Sequence, residues 1–246
     1  MVLIVNGSSS SGNSYALISS SDEILLIEAG VKIAEVKKSI NYKIGNVVGC
    51  LASHRHGDHA KYAVEYAKFG VKIYCNKDTA DNKSFPYNTC KVIEDGKTYH
   101  IGKYSVVPFN VEHDVPCQGF IIRHPEMGIM LFATDTFKIP IAMTGVNHFL
   151  IEANYEDSLL KENVRNGEIN KAQADRIMLS HMSLNYCIEY LRDCEAEKSA
   201  RTITLCHLSE RNSYPKLFRD SVAGAFGVPC FIASKGTVVE LNKDEI

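Results

Sequence analysis

The stretch Ser53-His54-Arg55-His56-Gly57-Asp58-His59 constrains the fold of this chain more than any other part of it. It follows the short apolar run Val47–Ala52, which is typical of a buried strand. The next residues, 60–67, carry small apolar side chains at helical spacing. We therefore expect the histidines on a loop between a strand and a helix, with Gly57 allowing a tight turn. Imidazole and carboxylate groups are ligands for metals such as zinc, so this loop predicts a metal site.

An HxHxDH pattern after a strand resembles the signature of the metallo-β-lactamase superfamily. Further ligands of that pattern are an isolated His, an isolated Asp and a final His, each at a strand end. His113, Asp135 and His207 match this order and context. The resemblance covers nearly the whole chain. It implies an α/β fold of four layers, an αββα sandwich, with every ligand on loops along one edge.

Carried over residue by residue, the resemblance implies two divalent metal ions. Their ligand sets share one carboxylate: His54, His56 and His113 for one ion, Asp58, His59 and His207 for the other, and Asp135 for both. Because all these ligand atoms are nitrogen or oxygen, zinc is favoured and manganese is next.

Three other segments resemble the WalJ-like branch of the superfamily: 10–13, 113–119 and 152–155. His181 is placed like the His-Ser element of tRNase Z, where the histidine acts as an acid or contacts phosphate and is not a metal ligand. The interval between Asp135 and His181 leaves no room for the large insert domain of RNase J-type nucleases. The sequence also has no Gly/Pro-rich arm like that of tRNase Z.

Asp58 and His181 are the predicted catalytic residues, and His181 would protonate the leaving oxygen. The alternative for His181 is a structural residue beside a helix whose N-cap is Ser183. Weaker candidates for orienting ligands or contacting substrate are Glu28, Ser11, Asn13 and Ser209. Histidines that match no motif position are interpreted as structural: His100, His124 and His148.

Three of these weaker candidates have plain alternatives. The loop 7–13, which contains Ser11 and Asn13, is at least a hairpin turn, and its backbone N–H groups could also bind an anion. Glu28 stands where the family usually has an Asp that orients a ligating histidine. Its extra methylene would move the carboxylate outward, and a solvated acid at a strand end is the alternative.

Composition bounds the remaining possibilities. The 246 residues are 45% hydrophobic without any linker-like tract, so residues 1–246 are predicted to form a single domain. The formal charge of −2 provides no overall basic surface. We expect no signal peptide and no membrane span. The eight cysteines contain no CxxC pair, which favours a cytoplasmic protein with reduced thiols.

The predicted function is a dinuclear metal-dependent phosphodiesterase acting on a nucleotide or nucleic acid. A cyclic nucleotide and a single-stranded polymer are both compatible, although the charge and the missing arm disfavour the polymer. The alternative is another hydrolase or an oxidoreductase of the same fold, with a lactone, thioester or persulfide substrate. A metal-holding module without turnover is the third interpretation. The sequence does not distinguish a monomer from a homodimer.

Overall fold

A computed structural model of the chain describes residues 1–243, and within them two β-sheets of seven strands each pack together. The strands are, in chain order, β1 (Val2–Gly7), β2 (Ser14–Ile18), β3 (Ile24–Ile27), β4 (Val47–Ala52), β5 (Ile73–Cys75), β6 (Cys90–Val92), β7 (Tyr99–Ile101), β8 (Tyr104–Val111), β9 (Cys117–His124), β10 (Gly128–Ala133), β11 (His148–Glu152), β12 (Thr202–Cys206), β13 (Cys230–Ile232) and β14 (Val238–Glu240). The helices are α1 (Ile33–Ser39), α2 (Gly57–Ala60), α3 (Ala63–Lys68), α4 (Lys77–Asp81), α5 (Asp157–Arg165), α6 (Lys171–Ser180), α7 (Leu184–Asp193), α8 (Ala196–Ser199) and α9 (Pro215–Phe226), with a 3₁₀ turn at Ile44–Asn46.

The strand order places several strand ends at one edge. The first sheet has the order β14-β1-β2-β3-β4-β5-β6, and the second has the order β13-β12-β11-β10-β9-β8-β7. Strands β3 to β6 are parallel to one another, and so are β10 to β13. Parallel neighbours have their carboxyl ends at the same edge of a sheet, and such edges commonly form binding sites in α/β proteins. The residues that follow these strands are therefore brought together.

Buried side chains define four layers. The inner faces of the two sheets share one core, to which Leu25 and Ile27 of β3 and Phe132 of β10 contribute. The outer face of the first sheet, with Ile24 and Leu26, packs against α1 and α3. The outer face of the second sheet packs against α7 and α9. This alternation along β3 is what a strand buried on both faces requires. The predicted αββα sandwich is confirmed.

Three local features differ from the sequence expectations. The helix expected over 60–67 is interrupted, because the Tyr62 amide donates 2.9 Å to the Ala29 carbonyl after β3. Residues 76–89 form a polar stretch for which no helix is predicted, yet they contain α4, whose N-cap side chain, Asn76, accepts from the Thr79 amide. Helix α6 is not predicted from the sequence, because its apolar pattern is weak. Its N-cap is Asn170, and it leads directly to His181. No helix within residues 1–243 is both long and apolar enough to cross a membrane.

Candidate metal centre

The backbone at the site holds an uncommon conformation at several strand ends. Glu28 follows β3, Asp135 follows β10 and His207 follows β12, and their φ angles are 67°, 50° and 53°. Residues other than glycine rarely adopt this left-handed region, and such residues cluster at functional sites. The chain thus turns sharply at three positions around the predicted metal ligands.

Two loops pack closely beneath the HxHxDH stretch. The Asp58 carbonyl accepts from the Asn13 amide at 2.7 Å, and the His59 carbonyl accepts from the Ala29 amide at 2.7 Å. A Cβ atom on Gly30 would lie 1.7 Å from the Asp58 oxygen, so this position requires glycine.

The expectation that Gly57 permits a tight turn is wrong. Gly57 begins α2 without a positive φ, and a Cβ there would meet nothing within 4 Å.

All seven predicted metal ligands lie together. They form two groups with one member in common: His54, His56, His113 and Asp135 in the first, and Asp58, His59, Asp135 and His207 in the second. Within each group the potential ligand atoms lie within 4.8 Å of one another. The groups coincide with the two ligand sets that the family resemblance implies.

Asp135 lies between the two groups and is almost fully buried. Its Oδ2 atom is 3.5 Å from Nε2 of His54 and 3.1 Å from Nε2 of His59. Its Oδ1 atom is 3.4 Å from Nε2 of His207. Around it, Nε2 of His207 also lies 3.2 Å from Oδ2 of Asp58. One carboxylate therefore faces imidazoles from both groups.

Further side chains contact the histidines from outside. Glu28 is fully buried, and its Oε2 atom lies 3.5 Å from Nδ1 of His59. The longer side chain thus still reaches this histidine, and the solvated alternative for Glu28 is wrong. Asn13 lies on the other side of the ring, with Nδ2 3.0 Å from His59 Nε2. The Glu28 contact is at the ring nitrogen that faces away from Asp135, and a contact of this kind fixes the orientation of a ligating ring, whereas Asn13 lies at the nitrogen that a metal would use.

The serine candidates lie in different surroundings. The Ser11 side chain is exposed and has no hydrogen bond to the cluster among the described residues. Ser8 is closer to the site, because its hydroxyl accepts from the His207 amide at 2.9 Å. The Ser209 hydroxyl accepts from the Asn212 amide at 3.2 Å and lines a cavity of about 270 Å³ beside His207.

Sequence reasoning missed the site role of Glu152. This residue ends β11, between the strands that lead to Asp135 and His207, and it is fully buried. Its Oε1 atom lies 2.7 Å from Nδ1 of His181 and 3.5 Å from Nδ1 of His207. Asp135, Glu152, His181 and His207 form a third compact group of possible ligands. The available signal was an acid at the end of a buried strand, which is costly unless it is paired.

The electrostatics and donor chemistry of the cluster fit divalent cations. Burial and the neighbouring His59 lower the pKa of His54, whose Nε2 is buried without a hydrogen-bond partner in residues 1–243. Burial alone would lower the pKa of His207, but Asp135 and Asp58 raise it to about 10. A proton on His207 competes with a metal ion for the same ring nitrogen. The nitrogen and oxygen donors match the preferences of zinc and manganese.

The layered fold, with its histidines and aspartates along one edge, is the metallo-β-lactamase fold. The chain is similar to exodeoxyribonuclease YycJ of Bacillus anthracis, with 27% identity over 234 residues that cover 89% of this chain and 86% of YycJ. No family model matches the chain.

Solved structures show the same architecture. The metallo-β-lactamase fold protein YhfI from Bacillus subtilis superposes with a TM-score of 0.74 at 17% identity, covering 97% of this chain and 99% of YhfI. The short form of human tRNase Z superposes with a TM-score of 0.66 at 13% identity, covering 98% of this chain and 99% of that structure. The predicted resemblance to the WalJ-like and tRNase Z-like branch is confirmed, since YycJ is WalJ.

Proposed function

We propose that this protein is a metal-dependent phosphodiesterase that hydrolyses single-stranded nucleic acid. It would use two divalent metal ions, with zinc favoured over manganese. The observation that carries the proposal is the position of Asp135 between two compact groups of ligand atoms. The similarity to an exodeoxyribonuclease supports nucleic acid, and DNA in particular, over a lactone, thioester or persulfide. The core shared by both sheets, within residues 1–243, supports the predicted single domain.

The two ligand groups would hold one ion each, with Asp135 common to both. Bound divalent ions activate water as a nucleophile and neutralise the charge of a scissile phosphate. Around them, the Glu28 carboxylate holds the ring of His59 at Nδ1. The Ser53 hydroxyl lies 2.9 Å from Nδ1 of His54 and fixes that ring in turn. The chain thereby presents its ligands in one prearranged geometry.

His181 is placed to move a proton. Its Nδ1 atom is engaged by Glu152 at 2.7 Å, which leaves Nε2 as the ring nitrogen available to substrate. Burial alone would lower the pKa of His181, but the Glu152 carboxylate raises it above the usual range. His181 also lines the cavity of about 270 Å³ that contains His207 and Arg211. A protonated Nε2 there can donate to the leaving oxygen of a phosphodiester.

The proposal is tested by substrate choice with zinc- or manganese-loaded protein. We expect stepwise shortening of an end-labelled linear single-stranded DNA, and little cleavage of a closed circular DNA of the same sequence. Asp135→Asn should abolish this activity, whereas His100→Ala, at an exposed histidine outside the cluster, should retain it. Hydrolysis of cyclic nucleotides alone, or of a lactone or thioester without any DNA cleavage, would overturn the proposal.

A further inference from the structure

Two cavities open side by side at the ligand-bearing edge of the molecule. The smaller one, of about 270 Å³, contains His181 and His207. The larger one, of about 520 Å³, lies between the loop 7–12 and the segments that carry Lys32 and Lys235. They share a wall formed by Ser9, Leu208, Ser209 and Glu210. The larger cavity therefore adjoins the proposed catalytic site, and its volume lies in the range of small-molecule sites.

The shared wall carries hydroxyl donors. The Ser9 oxygen accepts from the Ser11 amide at 3.2 Å, and the Ser209 oxygen accepts from the Asn212 amide at 3.2 Å. A serine hydroxyl has one donor and two acceptor positions. With an acceptor position already used, each hydroxyl keeps its hydrogen for a further partner. Two such hydrogens suit an acceptor without donors of its own, such as a phosphodiester oxygen.

The larger cavity also offers a free cation. Lys32 is exposed at its rim and forms no ion pair with any residue in 1–243. Lys235, by contrast, is paired with Glu35, with its Nζ atom 2.5 Å from Oε2. Of these two lysines, Lys32 is therefore the one available to a phosphate group, and such contacts supply much of the affinity for nucleic acids.

We propose that the two cavities form one groove for a single nucleic-acid strand, an inference that rests on the proposed function. The scissile phosphate lies beside His181 and His207. The adjoining phosphodiester lies at the wall, where Ser9 and Ser209 donate to its oxygens. The next nucleotide occupies the larger cavity, with its phosphate near Lys32. In this groove Lys32 and Arg211 supply positive charges to the strand on either side of the wall, which itself carries the acidic Glu210.

The test compares two substrates that differ in length. The kcat/KM of Lys32→Gln and of Ser9→Ala is measured on a single-stranded 12-mer DNA and on bis-p-nitrophenyl phosphate. The second substrate is too small to extend beyond the metal centre into the larger cavity. The control is Lys38→Gln, which removes an exposed positive charge from α1, the helix that Lys32 caps, at a position that lines neither cavity. For Lys32→Gln we expect kcat/KM on the 12-mer to fall about threefold to tenfold. The slope of log(kcat/KM) against log[salt] should become shallower by about 0.7, because one phosphate contact is lost. In both variants activity on bis-p-nitrophenyl phosphate should fall clearly less than activity on the 12-mer, because Lys32 and Ser9 line the cavities and are not among the metal ligands.

The outcomes separate the groove from the function on which it rests. If wild-type protein cleaves DNA but Lys32→Gln and Ser9→Ala behave like Lys38→Gln, the groove is wrong and the proposed function stands. If wild-type protein hydrolyses bis-p-nitrophenyl phosphate but not DNA, both are wrong. A loss on the 12-mer that is matched on bis-p-nitrophenyl phosphate would also overturn the groove, because it would indicate damage to the metal centre.

Discussion

The Nδ1 atom of His181 lies 2.7 Å from the Oε1 atom of Glu152, and this contact joins the end of α6 to the end of β11. The same carboxylate lies 3.5 Å from His207 and accepts from the Thr136 amide at 3.0 Å. When a carboxylate accepts a hydrogen bond from one ring nitrogen of a histidine, the other ring nitrogen is left to carry a second proton or to bind a metal. Glu152 thus orients both the proposed acid and a proposed metal ligand.

Replacing His181 by alanine separates proton donation from metal binding. We expect the rate on a DNA phosphodiester to fall about 10²–10⁴-fold, the usual contribution of a positioned acid. The p-nitrophenolate leaving group needs little protonation, so the loss on bis-p-nitrophenyl phosphate should be much smaller. Metal content, measured by elemental analysis, should not change.

Other results for His181→Ala would assign this residue differently. Equal losses on both substrates would show that His181 binds the phosphate in the ground and transition states alike. Loss of a metal ion would make it a ligand, as its membership of the group with Asp135, Glu152 and His207 allows. No change in either rate would make it structural and would contradict the proposed acid.

Metal content should follow the two ligand groups. We expect about two ions per chain in the wild-type protein, because two compact groups share Asp135. Asp58→Ala should lose one ion selectively, and so should His207→Ala. Of the two predicted ligand sets, both residues belong only to the second. His100→Ala should retain two. Elemental analysis that finds one tightly held iron per chain would instead favour a dioxygenase.

The sequence indicated which residues lie together, because the HxHxDH stretch and each isolated ligand come shortly after an apolar strand. All seven ligands are recognisable, four from the local HxHxDH spacing and three from their strand-end context, and parallel strand ends necessarily meet at one edge. The four layers followed from the family resemblance that these motifs carry.

Other features depend on contacts between distant segments and leave little trace in local patterns. The role of Glu152 requires α6 to return His181 to the end of β11, and α6 itself has a weak apolar face. The local motif drew attention to Gly57, whereas the close approach is at Gly30, against the backbone of a loop 28 positions further along the chain. The exposure of Ser11 likewise depends on how its loop folds back.

The two glycines make a matched pair of variants. A Cβ atom on Gly30 would overlap the Asp58 carbonyl and approach the Asn13 amide within 2.7 Å, so Gly30→Ala must displace the metal loop. We expect it to cost about 3 kcal/mol or more in unfolding free energy and to lower metal occupancy. Gly57→Ala has open space within a helix and should stabilise by up to about 1 kcal/mol. Urea unfolding with elemental analysis measures both. A larger loss for Gly57→Ala than for Gly30→Ala would contradict this packing.

His148 should make the protein sensitive to acid. Burial lowers the pKa of His148 to about 4, and its Nδ1 atom lies 2.8 Å from the Thr202 hydroxyl. The unfolded chain binds a proton at this residue near pH 6.5, whereas the folded chain does so only near pH 4. Its contribution is therefore fully present above about pH 6.5 and is lost as the pH falls towards 4, by roughly 2 kcal/mol between pH 7 and pH 5.

The variant His148→Asn isolates this contribution, since asparagine keeps a polar group facing Thr202 but does not titrate. Urea unfolding of the metal-free protein at pH 7 and pH 5 gives the loss of stability on acidification for each variant. We expect that loss to be smaller in His148→Asn than in the wild-type protein by roughly 2 kcal/mol. His100→Asn, at an exposed position, should keep the wild-type difference. The same pH dependence in wild type and His148→Asn would show that His148 is not held neutral by burial.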